Sequence, residues 1–373
     1  MANHTRTATN ENITAYKFDL NVGHACNFRC KYCFNQLKTD TDTPYDSAFM
    51  SPETIDKSIQ YMENLSHNLP EKEYSTLIPV FFGGEPLLYL NSVIRPFVKG
   101  FMHNKQVKPY SLVTNGSLIM DIRRDLLQLQ RETYNDLAIS VSYDYALQNE
   151  NRHADTYNKV RRGIAWLCNN DFRVRTITVL TRNALHRFED IANDMIPLLR
   201  SFPELRVVFN IDRTNIQAAP YDEAALRKTL QKMKDWKTNH MVLAKRMVVN
   251  SIMSEKPYRF LRDPDCFVAD VYGAIDVNGD CLPACNAIYT NKKIRDMITY
   301  GNVNKDSFET IQANRQALLD KVSQYKMPKE CQGCKASCRV MPWRTIKTDI
   351  SEWDGPAKPE NCKLNHLLAE YFF

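Results

Sequence analysis

The chain has 373 residues, of which 43% are apolar and 25% are charged, and its formal net charge is +6. This size suffices for a large buried core, in one big domain or two ordinary ones. The small basic excess falls short of the concentrated basic face that nucleic acids require, so we expect no nucleic-acid partner. No stretch is apolar enough for a membrane span and no secretory signal opens the chain, so we expect a cytoplasmic protein without a membrane partner.

The 11 cysteines form two groups. Cys26, Cys30 and Cys33 lie near the N-terminus, and Cys168 stands alone in the middle of the chain. The remaining seven are Cys266, Cys281, Cys285, Cys331, Cys334, Cys338 and Cys362. Reducing conditions disfavour a disulfide framework, so this abundance predicts metal or redox chemistry.

The order of the apolar segments predicts an α/β fold. Residues 1–14 are polar and are expected to form a flexible leader. Over residues 15–249, short apolar runs alternate with amphipathic segments. The predicted strands are 16–22, 77–82, 110–113, 137–141, 174–180 and 207–211. The predicted helices are 51–65, 91–103, 119–130, 155–168, 188–199 and 222–249. Right-handed crossovers would curl six such units into a partial, TIM-like (β/α)6 barrel with its functional loops at the carboxyl ends of the strands.

Residues 250–373 have a different texture. They form short pieces rich in Gly, Pro, Asp and Cys, such as NGDCLPAC at 278–285. Such pieces are typical of turns rather than of long helices or strands. We therefore expect a small cysteine-rich C-terminal domain that is held together by metal.

Cys26, Cys30 and Cys33 directly follow the first predicted strand with the spacing C-x3-C-x2-C. Three thiolates on one tight loop can hold three corners of a 4Fe-4S cluster and leave the fourth iron open to a small molecule. A structural zinc ion usually has four closed protein ligands, and this loop offers no fourth cysteine. The spacing therefore favours a cluster, with zinc as the alternative.

The cysteine loop resembles the defining motif of the radical S-adenosylmethionine (SAM) superfamily, with Tyr32 at the aromatic position before the last cysteine. The segment FFGGEPL at 81–87 resembles the GGEP motif of the same superfamily. Gly83 and Gly84 let the backbone approach a ligand closely. The resemblance implies that Glu85 accepts a hydrogen bond from the SAM ammonium group and that Pro86 fixes the turn. The alternative is an ordinary turn between a strand and a helix.

Two later strand ends extend this resemblance. Asn115 belongs to a Thr-Asn-Gly segment like the family's TNG turn, which could equally be a turn without a ligand. By the same resemblance, Ser142 would contact the SAM ribose and Arg152 the methionine carboxylate, for which a guanidinium is a natural bidentate partner. The alternatives are that Ser142 faces a helix and that Arg152 is a solvated surface charge.

The C-terminal cysteines resemble the SPASM or twitch extensions of this superfamily, which hold one or two auxiliary 4Fe-4S clusters. The C-x2-C-x3-C array at 331–338 could also be a zinc ribbon. The array departs from the full SPASM pattern, because three residues rather than five separate Cys334 from Cys338 and Pro342 stands where a further cysteine is usual. Seven cysteines cannot complete two four-cysteine clusters. We expect one complete site and one open site, formed respectively by Cys331, Cys334, Cys338 and Cys362 and by Cys266, Cys281 and Cys285.

The resemblance implies an enzyme in which a reduced cluster cleaves SAM to a 5′-deoxyadenosyl radical that takes hydrogen from a peptide or protein. Sulfatase-maturing members carry an acidic residue after the cysteine of the glycine–cysteine turn, whereas Asn286 follows Cys285 here. An amide cannot accept a proton at neutral pH. We therefore expect a maturase that crosslinks a ribosomally made precursor peptide, for example through a carbon–carbon bond of the cyclophane type, with a flavodoxin or ferredoxin as electron donor. The alternatives are oxidation of a sulfatase Cys or Ser to formylglycine, and a non-catalytic zinc-ribbon interaction protein.

Overall fold

The computed structural model describes residues 14–33, 47–69, 75–211, 223–250, 271–283, 292–323 and 367. Within these ranges, ten strands form a single sheet in the order β10-β9-β8-β1-β2-β3-β4-β5-β6-β7. The strands are β1 (Thr14–Asn21), β2 (Ser75–Phe82), β3 (Tyr110–Thr114), β4 (Leu137–Ser142), β5 (Arg173–Leu180), β6 (Arg206–Ile211), β7 (Met247–Asn250), β8 (Val271–Ile275), β9 (Asp280–Leu282) and β10 (Gly301–Asn302).

Strands β1 to β7 are parallel, and each one pairs with the next along the chain. The six predicted strands are confirmed as β1 to β6. The predicted helix 222–249 is wrong at its C-terminal end, where residues 247–250 form the parallel strand β7. The physical reason is that Val248 and Val249 are β-branched and gain backbone hydrogen bonds from β6, which outweighs the helical pattern before them.

The described helices are α1 (Pro52–His67), α2 (Arg95–Phe101), α3 (Arg123–Glu132), α4 (Gln148–Asn151), α5 (Tyr157–Asn169), α6 (Arg182–His186), α7 (Phe188–Ser201), α8 (Glu223–Asn239), α9 (Met241–Ala244), α10 (Lys292–Ile298) and α11 (Phe308–Ser323). Ser51 caps α1 by accepting a hydrogen bond of 3.1 Å from the Thr54 amide, and Pro52 is the first helical residue. Both features follow from the sequence. None of the helices in the described ranges has the length and apolar character of a bilayer span.

The two faces of the sheet differ in what covers them. A Cβ atom added to Gly116 would lie 2.7 Å from Val141 of β4 and 3.0 Å from Val160 of α5, so Val141 faces the helices. Side chains alternate between the faces of a strand. Ser140 and Ser142, on either side of Val141 in β4, therefore face the inside of the curved sheet. This inner face is where the family resemblance predicts the ligand.

The described strands after residue 270 join the same sheet. Strand β8 pairs in parallel with β1, and β9 and β10 continue the sheet in antiparallel order. The same region also packs on α1, because the side-chain amide of Gln312 donates to the Tyr61 hydroxyl at 2.9 Å and that of Asn304 donates to Thr54 at 3.1 Å. The edge of the cysteine-rich region is thereby held beside the first strand.

Candidate active site

The segment after β1 is fixed on both sides by backbone hydrogen bonds. On one side, the amides of Gly84 and Glu85 donate to the carbonyls of Gly23 and Ala25 at 2.9 and 2.8 Å. On the other side, the His24 amide donates to the Ala48 carbonyl at 2.9 Å. The residues that lead into the cysteine loop and the predicted GGEP turn therefore form one unit, as the sequence motifs require.

Two glycines make this close approach possible. A Cβ atom on Gly84 would lie 2.3 Å from the carbonyl oxygens of both His24 and Ala25. Gly83 has φ +150°, and a Cβ atom there would lie 2.3 Å from the Gly23 carbonyl. The atoms in the way belong to the backbone, which cannot move aside like a flexible side chain. Glycine is therefore required at both positions by the packing of the two loops.

Substitution of Gly84 by alanine is expected to push the cysteine loop away from the GGEP turn and lower the free energy of unfolding by about 1–3 kcal/mol, the usual cost of overpacking. We expect the purified variant, after anaerobic reconstitution, to retain less than half of the N-terminal cluster's iron. Iron content and the thermal unfolding midpoint are the measurements.

Gly163→Ala is the matched control. Gly163 lies inside α5, and a Cβ atom added there would lie no closer than 3.2 Å to the Ile119 side chain. Alanine also favours a helix over glycine by about 1 kcal/mol. Iron content equal to wild type in Gly84→Ala would contradict the close approach described above.

The cysteine sulfurs lie among N–H donors. The Phe28 amide donates to Cys26 Sγ at 3.4 Å, and the Asn115 amide group approaches the same sulfur at 3.9 Å. An Arg152 guanidinium nitrogen lies 3.8 Å from Cys30 Sγ. Burial raises the pKa of the Cys26 thiol to about 12 and that of Cys30 to about 11. Metal binding deprotonates such thiols, and N–H donors then stabilise the thiolates.

This environment fits the predicted iron-sulfur cluster. Cys26, Cys30 and Cys33 are free thiols on one short loop. In the described ranges no three ligating side chains converge on a position for one metal ion. A cluster does not need such convergence, because each of its thiolates binds a different iron.

Glu85 is fully buried and ties the GGEP turn to the end of β3. Its Oε1 accepts hydrogen bonds from the Thr114 hydroxyl at 2.7 Å and the Leu87 amide at 3.0 Å, and its Oε2 accepts one from the Asn115 amide at 2.7 Å. Burial raises the pKa of Glu85, and these donors oppose the rise. Pro86 opens the 3-10 turn Pro86–Tyr89 that follows. Glu85 therefore links the GGEP turn to the end of β3. That Glu85 also accepts a hydrogen bond from the SAM ammonium group stays a prediction.

The predicted TNG turn contacts the cysteine loop. The Asn115 side-chain amide donates to Asn27 Oδ1 at 2.8 Å, in addition to its approach to Cys26. Gly116 has φ +79°, a conformation that favours glycine, and its amide donates to the Thr114 hydroxyl at 3.0 Å. The turn therefore helps to position the loop, whereas direct contact of Asn115 with a cofactor stays a prediction.

Arg152 lies in a buried polar cluster with Tyr32 and Asp144. Its side chain is 7% exposed, so the alternative of a solvated surface charge is wrong. Its Nε lies 3.5 Å from Asp144 Oδ1, its guanidinium lies 5.3 Å from the centre of the Tyr32 ring, and the Tyr32 hydroxyl donates to Asp144 at 2.6 Å. Ser142 lies half-buried on the inner face at the end of β4, not against a helix. Ligand contacts of Tyr32, Ser142 and Arg152 stay predictions.

Asp276 is a residue of this region that the sequence analysis missed. It follows β8 directly, is 1% exposed, and accepts hydrogen bonds from Asn21 and Arg295, each at 2.7 Å. Its Oδ1 also lies 3.4 Å from His24 Nε2. Burial alone would raise the pKa of Asp276, but the His24 contact and the Arg295 charge outweigh it and lower this pKa. Only the turn-forming sequence after Asp276 could have drawn attention to it.

The described ranges include one of the seven C-terminal cysteines, Cys281. It lies in β9, is fully buried, and has its pKa raised by burial. The others lie outside the described residues, namely Cys266, Cys285, Cys331, Cys334, Cys338 and Cys362. Cys168 is half-buried in α5, where burial raises its pKa to about 12.

Comparisons with known proteins agree with this geometry. The family model of the radical SAM superfamily matches residues 20–195, and the SPASM iron-sulfur cluster-binding domain matches residues 266–335. The radical SAM cyclopropyl synthase TigE of Paramaledivibacter caminithermalis is 27% identical over 207 residues, which are 53% of this chain and 41% of TigE. The probable GTP 3′,8-cyclase of Methanococcus vannielii is 24% identical over 216 residues, which are 57% of this chain and 66% of that protein. The chain thus spans less than two thirds of the length of each of these relatives.

Two solved structures share the fold over nearly the whole chain. Native anSMEcpe with bound AdoMet and Cp18Cys peptide has a TM-score of 0.66 at 15% identity and covers 96% of both chains. Streptococcus suis SuiB bound to the precursor peptide SuiA has a TM-score of 0.63 at 14% identity, over 93% of this chain and 76% of SuiB. The chain thus carries a radical SAM domain at residues 20–195 and a SPASM domain at residues 266–335, and these domains imply SAM, a 4Fe-4S cluster and auxiliary iron-sulfur clusters as cofactors.

Proposed function

We propose that the enzyme is a peptide maturase that removes hydrogen from a ribosomally made precursor peptide and joins two of its atoms in a crosslink, with a carbon–carbon bond as the favoured product. The relative TigE is named a cyclopropyl synthase, a name that implies carbon–carbon bond formation. Two structures of the same fold hold a peptide. These similarities support a peptide substrate for this chain.

The observation that carries the proposal is the contact between the cysteine loop and the C-terminal region. His24 precedes Cys26 by two residues, and Asp276 follows the strand that pairs with β1. Their 3.4 Å contact, together with the Asn21–Asp276 hydrogen bond, holds the SPASM region against the carboxyl end of the first strand. A crosslink removes two hydrogens from the peptide, and an enzyme with two iron-sulfur domains suits the removal of two electrons.

The chain's own residues have three tasks in this proposal. Cys26, Cys30 and Cys33 would hold the cluster through three of its irons, and the predicted GGEP turn would bind the amino group of SAM. When bound, the cluster supplies one electron to SAM, which yields methionine and a 5′-deoxyadenosyl radical. Ser142 and Arg152, on the inner side and rim of the barrel, would orient the ribose and the carboxylate. Orientation of this kind keeps the radical beside the peptide and away from water.

In the crosslink, one peptide hydrogen atom leaves as part of 5′-deoxyadenosine. The second leaves as a proton and an electron when the new bond closes. We propose that the cysteines of the C-terminal region, including Cys281, hold the group that accepts this electron. A flavodoxin or ferredoxin is the proposed donor of the first electron.

The experiment is anaerobic incubation of the reconstituted enzyme with SAM, a strong reductant and each short peptide that a search of the genes next to its own identifies. We expect one 5′-deoxyadenosine per modified peptide and a peptide mass loss of two hydrogens, with tandem mass spectrometry showing a crosslink. Conversion of a Cys or Ser to formylglycine would instead support the alternative function. A colourless protein that contains zinc and almost no iron would contradict the proposed catalytic function.

A further inference from the structure

Arg175 lies inside the barrel, in the second inward-facing position of β5. It pairs in register with Ser140 of β4, and its Nε donates to the Ser140 hydroxyl at 2.5 Å. The next residue, Thr176, contacts the Tyr145 hydroxyl at 2.8 Å on the opposite face of the strand, between the sheet and the helices. Since side chains alternate along a strand, Arg175 and Ser140 share the inner face with Ser142.

The Arg175 guanidinium has no acidic partner among the described residues. Its contact is the Ser140 hydroxyl, and burial lowers its pKa without an opposing charge. Among the other buried and partly buried arginines, Arg152 and Arg295 pair with carboxylates, whereas Arg246 and Arg315 donate to backbone carbonyls. Arg175 is half-buried, and a partly desolvated charge without a counter-charge is unfavourable. A negative group of a ligand would provide the missing partner.

A second observation on the same face comes from Ser111 of β3. It pairs with Ala138, which lies two residues before Ser140 on β4, so it too faces inward. Ser111 is 6% exposed, and its hydroxyl has no hydrogen-bond partner. Buried hydroxyls are normally hydrogen-bonded, so this one also lacks an expected partner.

Arg206 adds a second positive charge at the same level. It is the register partner of Arg175 on β6 and is exposed. Like charges on directly neighbouring strand positions repel each other. A negative group between them would turn this repulsion into attraction.

We propose that the inner face of β3 to β6 binds a carboxylate of the substrate, with Arg175 as its ion-pair partner. This inference rests on the proposed function, because it assigns the carboxylate to the peptide, as an acidic side chain or as the chain end. Arg175 is the register partner of Ser140. Ser140 precedes Ser142 by two residues on β4, a distance of about 7 Å along the strand. A carboxylate bound there would place neighbouring peptide residues at the rim, where the SAM site is predicted.

The test is isothermal titration calorimetry of the reconstituted, SAM-loaded enzyme with three small probes. N-acetylglutamate N-methylamide carries only a side-chain carboxylate, N-acetylglycine carries only a chain-end carboxylate, and N-acetylglutamine N-methylamide carries neither. We expect at least one acidic probe to bind and the amide probe not to bind. Which acidic probe binds more tightly distinguishes an acidic side chain from a chain end. No binding of either acid would overturn the proposal.

Arg175→Met is expected to weaken binding of the acidic probe by about 10- to 100-fold, the usual value of a hydrogen bond to a charged group. Ser111→Ala is expected to weaken it by about three- to tenfold. Arg173→Met is the matched control, because this exposed arginine on the same strand already pairs with Asp136 at 3.0 Å and should leave binding unchanged. Equal affinity of wild type and Arg175→Met would overturn the proposal.

Loss of folding would not imitate this result. Replacing the half-buried charge of Arg175 with a methionine of similar length is expected to leave the thermal unfolding midpoint unchanged or raised. Should Arg175→Met fail to fold, the Ser111→Ala affinity decides. Binding is measured without turnover, so the two proposals can fail separately. Probe binding by an enzyme that modifies no peptide would contradict the proposed function alone. Peptide crosslinking without probe binding would contradict this inference alone.

Discussion

Cys30→Ser is expected to abolish 5′-deoxyadenosine formation, with a loss well above a hundredfold. Removing only an outer-shell partner of a metal ligand typically costs about 10- to 100-fold, so loss of a ligand itself should cost more. A serine hydroxyl is far less acidic than a thiol and is a poor ligand for iron in such a cluster. Cys30 is buried beside Arg152, and its neighbours Cys26 and Cys33 are themselves assigned as ligands.

The measurements are iron content, the electron paramagnetic resonance signal of the reduced protein, and 5′-deoxyadenosine after incubation with SAM and reductant. Cys168→Ser is the control, because Cys168 lies in α5 and ends no strand of the barrel. It should retain the iron content and activity of wild type. Full SAM cleavage by Cys30→Ser would contradict the assignment of Cys26, Cys30 and Cys33 as the ligands of the radical-generating cluster.

Asp276→Ala is expected to lower the free energy of unfolding by about 1–3 kcal/mol, because it removes one of the two carboxylate partners of Arg295, which keeps Asp280 at 2.8 Å. It also removes the acceptor for the Asn21 side chain, which is fully buried next to the cysteine loop. We therefore expect this variant to lose part of its N-terminal iron together with its stability. Urea unfolding under anaerobic conditions is the measurement.

The pH dependence of this effect has a defined sign. The folded-state pKa of Asp276 is lowered, so its stabilising contribution is complete above its pKa in the unfolded chain, about 3.9. The contribution is lost as the pH falls through the lower folded-state pKa. The difference in unfolding free energy between wild type and Asp276→Ala should therefore shrink as the pH falls below about 4.

Asp296→Ala is the matched control for Asp276→Ala. Asp296 is also a partner of a basic residue, Lys292 at 2.7 Å, but both side chains are largely exposed. Exposed ion pairs contribute little, so we expect a change within about 0.5 kcal/mol. Equal effects of the two substitutions would show that Asp276 is not a structural link between the sheet and the cysteine loop.

The sequence by itself determined the features that depend on local chemistry. The six strands β1 to β6 are runs of apolar and β-branched residues, and the cap of α1 follows from Ser51 and Pro52 in consecutive positions. The C-x3-C-x2-C spacing and the GGEP segment indicated the family and its cofactors, because ligand type and spacing on one loop decide what that loop can hold. All of these signals lie within a few neighbouring residues.

Tertiary structure decided what depends on residues distant in the chain. Strand β7 exists because β6 offers it a hydrogen-bonding edge. Glu85 proved to be a buried link between two loops as well as a predicted ligand residue, since its partners include Thr114, 29 positions away. Asp276 reaches Asn21 across 255 positions, and Arg175 donates to Ser140 of the neighbouring strand on the inner face. Sequence pattern cannot reveal such contacts, because pairing and burial of a charge are set by the fold that surrounds it.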